Sequence, residues 1–118
     1  MKAVTVDLTD PNGDELLAAL AALANPHRLR IVAALAGGRN YVSQLARDLE
    51  MSRPLLHLHL QKLEAAGLVA GSLELSEDGK AMKYFDVTPF ALTLTPAAIA
   101  IAVRTLTAEG SGGTDGDR

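Results

Sequence analysis

Three histidines, His27, His57 and His59, are the side chains best suited to proton transfer or metal ligation in a 118-residue chain that contains no cysteine. Without thiolates, the sequence excludes disulfides, iron–sulfur clusters, thiolate zinc sites and a cysteine nucleophile. His57 and His59 stand two residues apart, about 200° around a helix, so they cannot chelate one ion together without distortion. A site would need His27, a carboxylate or a second subunit. Such nitrogen and oxygen donors suit Zn²⁺, Ni²⁺ or Co²⁺ and do not suit Cu⁺ or arsenite. Ser43, Ser52 and the histidines make no recognisable nucleophile–base spacing, and no phosphate-binding glycine loop is present, so the sequence argues against an enzyme. The other available chemistry is cationic. The formal net charge is −3, yet residues 26–62 hold six bases against two acids, while each remaining stretch is acidic. Arg28, Arg30, Arg39, Arg47, Arg53 and Lys62 form this positive third, a distribution suited to a DNA-binding face.

The elements that must position these residues can be read along the chain. Hydrophobic residues make up 48%, charged residues 21% and aromatics 3%, so one soluble domain with an aliphatic core is expected. No stretch of 18 apolar residues is present and the acidic N-terminus does not resemble a signal peptide, so a cytoplasmic address without a membrane partner is expected. Residues 1–13 are read as an N-terminal arm in which Val4, Val6 and Leu8 alternate with polar residues, either a short strand or flexible. Residues 14–107 are read as the folded domain, and 108–118 as a disordered Gly/Asp tail. Leu16, Leu17, Leu20 and Leu23 give a helix too apolar for one small core to cover. Asn25-Pro26 caps and starts a second helix, which Gly37-Gly38 ends through a left-handed cap. Ser43 is expected to cap a short helix, and Ser52 the next, in which Leu56, Leu60 and Leu63 recur at i, i+4 and i+7 before Gly67. Residues 68–75 and 80–87 read as a β-hairpin, and Thr95-Pro96 opens a last helix carrying Ile99, Ile101, Val103 and Leu106.

A helix-turn-helix followed by a β-hairpin is a winged helix, mainly α within an α+β class: its second helix fits the major groove and its two-stranded wing reaches flanking phosphates. If Leu56, Leu60 and Leu63 point inward, Pro54, His57, Leu58 and Gln61 point outward, with Leu55 and Lys62 at one margin. Gln61 can pair with an adenine edge, His57 can donate or accept, and Leu58 can touch a thymine methyl. The expected DNA-binding set is therefore Ser52, Arg53, Pro54, Leu55, His57, Leu58, Gln61 and Lys62 from this helix, joined by Arg39, Arg47, Lys80 and Lys83. Glu77 and Asp78 at the wing turn would face the phosphates unless the tip turns away.

The run Asn25-Pro26-His27-Arg28-Leu29-Arg30-Ile31, the segment Ser43–Leu49 and the segment from Ser52 to Val69 together resemble the ArsR/SmtB family of winged-helix repressors. Lys80–Val87 is similar to the family's second wing strand. The resemblance implies a homodimer paired through its first and last helices, with Leu16, Leu17, Leu20, Leu23, Ile99, Val103 and Leu106 in the interface. It further implies a sequence-specific regulator, a repressor that binds double-stranded DNA at an inverted repeat and is released or modulated by an effector. The family's thiolate site corresponds to Tyr41-Val42-Ser43, without cysteine, and its last-helix site falls on residues 95–106, without His, Asp or Glu. Regulation by a metal through His27, His57 or His59, by a small organic effector, or by a partner protein remains open. A winged-helix interaction module without DNA readout is the alternative that Leu55, Leu58 and the acidic wing favour. His59 is expected as a half-buried packing residue, His57 as groove-facing and His27 as a first-turn surface residue.

Overall fold

The computed structural model describes residues 11–107 in full and the backbone of residues 6–8; Val4 and the tail expected over 108–118 lie outside the described residues. Helix α1 (Gly13–Leu23) takes in Gly13, the last residue of the expected arm, because Asn12 makes a reciprocal cap: its side chain accepts from the Glu15 N–H and the Glu15 carboxylate accepts from its own. Helix α2 (Pro26–Ala36) starts as expected, with the Asn25 side chain accepting from the His27 and Arg28 N–H groups. Its end uses the expected Gly37-Gly38 pair, through the second glycine. Gly37 stays right-handed, and the positive φ of 139° falls on Gly38.

Helix α3 (Val42–Leu49) is capped at Tyr41 with no side-chain bond, so Ser43 is not a cap; it lies inside the first turn. The reason is the preceding strand, Asn40–Tyr41, which pairs with the hairpin and carries the chain into the helix earlier than a serine signal implies. Glu50 then takes a left-handed conformation, φ 55° and ψ 49°, and turns the chain towards helix α4 (Arg53–Ala65). There the cap is as expected: the Ser52 hydroxyl accepts from the Leu55 N–H at 3.3 Å.

The hairpin is antiparallel, Val69–Leu75 against Ala81–Val87, with Leu73 opposite Lys83 and Leu75 opposite Ala81. The wing is not two-stranded, because Asn40–Tyr41 adds a third strand, opposite Phe85 and Tyr84. A separate parallel pair joins Val6–Leu8 to Phe90–Leu92. In chain order the strands are β1 (Val6–Leu8), β2 (Asn40–Tyr41), β3 (Val69–Leu75), β4 (Ala81–Val87) and β5 (Phe90–Leu92), and the last helix is α5 (Pro96–Val103), capped by Thr95. Leu106 lies past its end.

Ile31, Leu35, Leu45, Leu56, Leu60, Leu63 and Leu68 are fully buried, and Phe85 from the wing is the aromatic that joins them. Burying each large aliphatic side chain contributes about 1.5–3 kcal/mol. Three of the seven lie on α4, so the same packing that builds the core fixes which side of α4 faces out.

Candidate nucleic-acid interface

Helix α4 rests Leu56, Leu60 and Leu63 on the core, each with no exposed area, and leaves Arg53, Pro54, Leu55, His57, Leu58, Gln61 and Lys62 exposed. Ser52, at its cap, is exposed as well. The outward residues are those the leucine spacing predicts, because a helix rotates 100° per residue and three leucines at i, i+4 and i+7 define one side. Pro54 sits in the first turn, where no intrahelical N–H is lost.

The N-terminal half of α4, the start of α3 and the wing enclose a cleft of about 260 Å³ whose lining includes Tyr41, Arg53, His57, Met82 and Lys83. A second, shallower hollow of about 460 Å³ runs under the α3–α4 turn and brings Arg47 beside Arg53. Arg53 lines both. A guanidinium, an imidazole and an ammonium therefore converge on one concave surface beside an exposed helix side, an arrangement able to hold backbone phosphate while base edges are read.

The remaining basic residues are not equivalent. Arg47 donates to Gln44 Oε1, and Gln44 in turn donates to Asp48 at 2.7 Å, so Arg47 is steadied along α3 but exposed. The Lys83 ammonium lies 5.6 Å from the centre of the Phe85 ring. Gly71 across the hairpin makes room for it, since a Cβ there would come within 2.9 Å of both Lys83 Cε and Phe85 Cε1. Lys80 is exposed beside the turn, its backbone N–H bonded to the Ser76 hydroxyl at 3.1 Å. Of the two turn acids, Asp78 is bent back onto the Ser76 hydroxyl and the Lys80 N–H, which hold its carboxyl below the usual carboxylate range. Arg39 differs most: its guanidinium forms a two-pronged pair with Glu74 and covers the Tyr84 ring at 4.3 Å. Sequence reasoning missed Glu74 and Tyr84 as its partners, because only the β3–β4 register places them beside β2.

Arg28, counted with the phosphate donors by charge alone, is turned inward. Its Nε donates to the Ala22 carbonyl at 2.6 Å and its Nη2 to the Ala21 carbonyl, which also accepts from the Ala24 N–H, so the guanidinium caps the carbonyl end of α1. Its Nη1 lies 3.1 Å from His59 Nδ1. Because a guanidinium only donates, that nitrogen accepts and the proton of the neutral ring sits on Nε2. Burial first, then the charges of Arg28, His27 and Lys62, hold the His59 pKa below its ordinary value. His27 is half-buried against it, ring centres 5.2 Å apart, and is not the surface residue its position implies. His57 stands apart on the exposed side of α4. Among the described residues no group of three or more His, Cys, Asp or Glu side chains converges as a metal site.

Of the apolar residues expected between subunits, Leu16 is covered by its own chain, while Leu20 and Leu23 are half-buried. Leu17, Ile99, Val103 and Leu106 are exposed.

Comparison with known proteins agrees with this geometry. Residues 25–70 match the family model described as bacterial regulatory protein, arsR family. Over 69 residues the chain is 39% identical to an uncharacterized HTH-type transcriptional regulator of Methanocaldococcus jannaschii, an alignment covering 58% of this chain and 72% of that protein. Among solved structures it resembles the homodimeric winged helix-turn-helix DNA-binding domain of a possible ArsR-family regulator from Mycobacterium bovis, with a TM-score of 0.57 and 29% identity, over 64% of this chain and just under two thirds, 65%, of that one. The transcriptional repressor BigR of Xylella fastidiosa, 20% identical with a TM-score of 0.54 over 77% of this chain and 82% of its own, shares the fold. With its helix-turn-helix, its wing and these relatives, the chain belongs to the ArsR family of winged helix-turn-helix transcriptional regulators.

Proposed function

We propose that this regulator acts as a homodimer, binds an inverted-repeat operator in two successive major grooves and works as a repressor whose grip an effector modulates. The observation that carries the reading is the division of α4: three leucines fully buried, and Pro54, His57, Leu58 and Gln61 exposed beside a cleft holding Arg53 and Lys83. In this reading Gln61 and His57 address base edges, Leu58 meets a thymine methyl, and Arg53, Arg47, Lys62, Lys80 and Lys83 neutralise phosphates. Support for the dimer comes from exposed Leu17, Ile99, Ile101 and Val103, and from the similar domain of Mycobacterium bovis, which is homodimeric.

Footprinting on a fragment of the protein's own promoter region tests the proposal. Two protected half-sites about one helical turn apart are expected. Arg53→Ala weakens binding at all sequences and lowers the salt slope by about 0.9, whereas Gln61→Ala relaxes preference at a single position. Parent-like operator binding by Arg53→Ala and by a His57→Ala, Gln61→Ala double variant would refute the assignment of α4.

A further inference from the structure

We propose that Glu74 withholds Arg39 from the DNA backbone, so that this pair on the wing adds no net charge to binding and Glu74 tunes the balance between specific and non-specific affinity. The inference rests on the DNA-binding reading above.

Arg39 has the chemistry of a phosphate ligand but meets a carboxylate first. Its Nη2 donates to Glu74 Oε1 at 3.0 Å and its Nη1 to Oε2, the two-pronged geometry that a phosphate would otherwise take. Two rings hold the guanidinium in register: Tyr84 lies beneath it at 4.3 Å, and Tyr41 packs edge-on against Tyr84 with centres 5.7 Å apart. The pair shifts its acid as expected, since Arg39 holds the Glu74 carboxyl below the usual range.

The location makes this consequential. Glu74 is opposite Met82 and Ser72 opposite Tyr84, so Glu74, Met82 and Tyr84 share one side of the sheet. Met82 and Tyr41 line the cleft that holds Arg53, His57 and Lys83. Arg39 thus stands at the edge of the proposed duplex-facing surface with its charge already cancelled. Phosphate contacts carry no sequence information. A cation neutralised at this point leaves a larger share of the affinity to the exposed side of α4.

The test is binding of a labelled random-sequence duplex, followed by fluorescence anisotropy across a salt series, for the parent, Glu74→Gln and an Arg39→Gln, Glu74→Gln double variant. Circular dichroism melting checks that each is folded; an exposed pair contributes little to stability. Glu74→Gln should bind more tightly at low salt, with a slope of log affinity against log salt steeper by about 0.9. Its advantage then shrinks about 3.5-fold between 50 and 200 mM salt, as one added phosphate contact requires. The double variant should return to the parent's slope and affinity, because a neutral pair replaces a neutral pair. Three results would overturn the inference: Glu74→Gln behaving as the parent; a double variant with a shallower slope than the parent, which would mean Arg39 already contacts phosphate; or a double variant that keeps the gain, which would trace it to lost repulsion. A parent with no measurable affinity for any duplex at low salt would instead bring down the DNA-binding reading itself, and this inference with it.

Discussion

Leu58 and Leu60 are the same residue type, two positions apart on one helix, and their environments make opposite predictions. Leu60 has no exposed area, whereas Leu58 is 52% exposed. Truncating Leu60 to alanine removes buried methyl groups and leaves a cavity in the core that Leu60 shares with Leu56, Leu63, Ile31 and Leu35, which costs about 2–5 kcal/mol. Each kilocalorie per mole moves the melting temperature of a domain this size by roughly 4 °C or more, so Leu60→Ala should melt at least ~8 °C lower. Leu58→Ala loses little buried area and should stay within about 0.5 kcal/mol of the parent. Urea titration at fixed protein concentration measures both, with the midpoint moving for Leu60→Ala and staying for Leu58→Ala. Duplex binding at a temperature where both are folded should invert the order, since only Leu58 faces outward. Equal stability losses in the two variants would mean that α4 is rotated from the orientation described, and the proposed reading of the groove would go with it.

Two further perturbations follow from close contacts. Gly71→Ala places a methyl within 2.9 Å of Lys83 Cε and Phe85 Cε1. Because Phe85 is 4% exposed and belongs to the core, the variant should lose about 1–3 kcal/mol in chemical denaturation as the ring is pushed from its site; unchanged stability would show that the wing yields without cost. His59 gives a pH dependence. Its pKa in the folded chain is lowered from 6.5, so below that value the unfolded chain binds more protons than the folded one. Stability should therefore fall as pH drops through about 6.5 and stop falling below the folded pKa. Asp14, Glu74 and Asp78, lowered from 3.8, 4.5 and 3.8, lose their contributions in a separate, more acid window. Thermal melts between pH 7.5 and 5 should flatten in His59→Gln, and an unaltered profile would place the titrating group elsewhere.

How far the sequence speaks for itself depends on the range of the interactions involved. The leucines of α4, the caps at Asn25, Ser52 and Thr95 and the turn before Lys80 are legible because each signal is local: the spacing that defines a helix side and the side chain that caps its end lie within a few residues. The short strand Asn40–Tyr41 has no such signal. It exists because Phe85 and Tyr84 offer an open edge more than 40 residues later, and by recruiting Tyr41 it displaces the expected cap at Ser43. Glu50 is invisible for a different reason. Glycine is the ordinary mark of a left-handed residue, and here a glutamate takes the position so that the chain can leave α3, with the Met51 N–H bonded to the Ala46 carbonyl at 2.9 Å. The site divides the same way. Which α4 residues face out is readable from spacing, but that Arg28 faces the end of α1 and Arg39 faces Glu74 is not, because charge alone does not say where a long side chain bends.

The same distinction decides which apolar side chains of the two helices stay exposed. Composition says that α1 and α5 carry more apolar surface than one core can hold, but not which part they hide from each other. The backbone settles it at Gly13, where a Cβ would lie 2.7 Å from Leu106 Cγ, so the start of α1 and the residues after α5 approach as only glycine permits. The Gly13 N–H donates to the Thr105 hydroxyl at 2.7 Å, and Asp14 accepts from the Thr107 hydroxyl at 2.6 Å and from its N–H at 3.1 Å. Those bonds hold the first turn of α1, where the positive end of the helix dipole favours an acid, against the residues that follow α5. Leu16, Ala19, Ala22 and Ala102 are consumed in the chain's own packing, whereas Leu17, Ile99, Ile101 and Val103 are left outside it. A polar clamp at the helix ends thus selects which apolar side chains stay exposed, which is why neighbours as alike in the sequence as Leu16 and Leu17 belong, one to the core and the other to the surface.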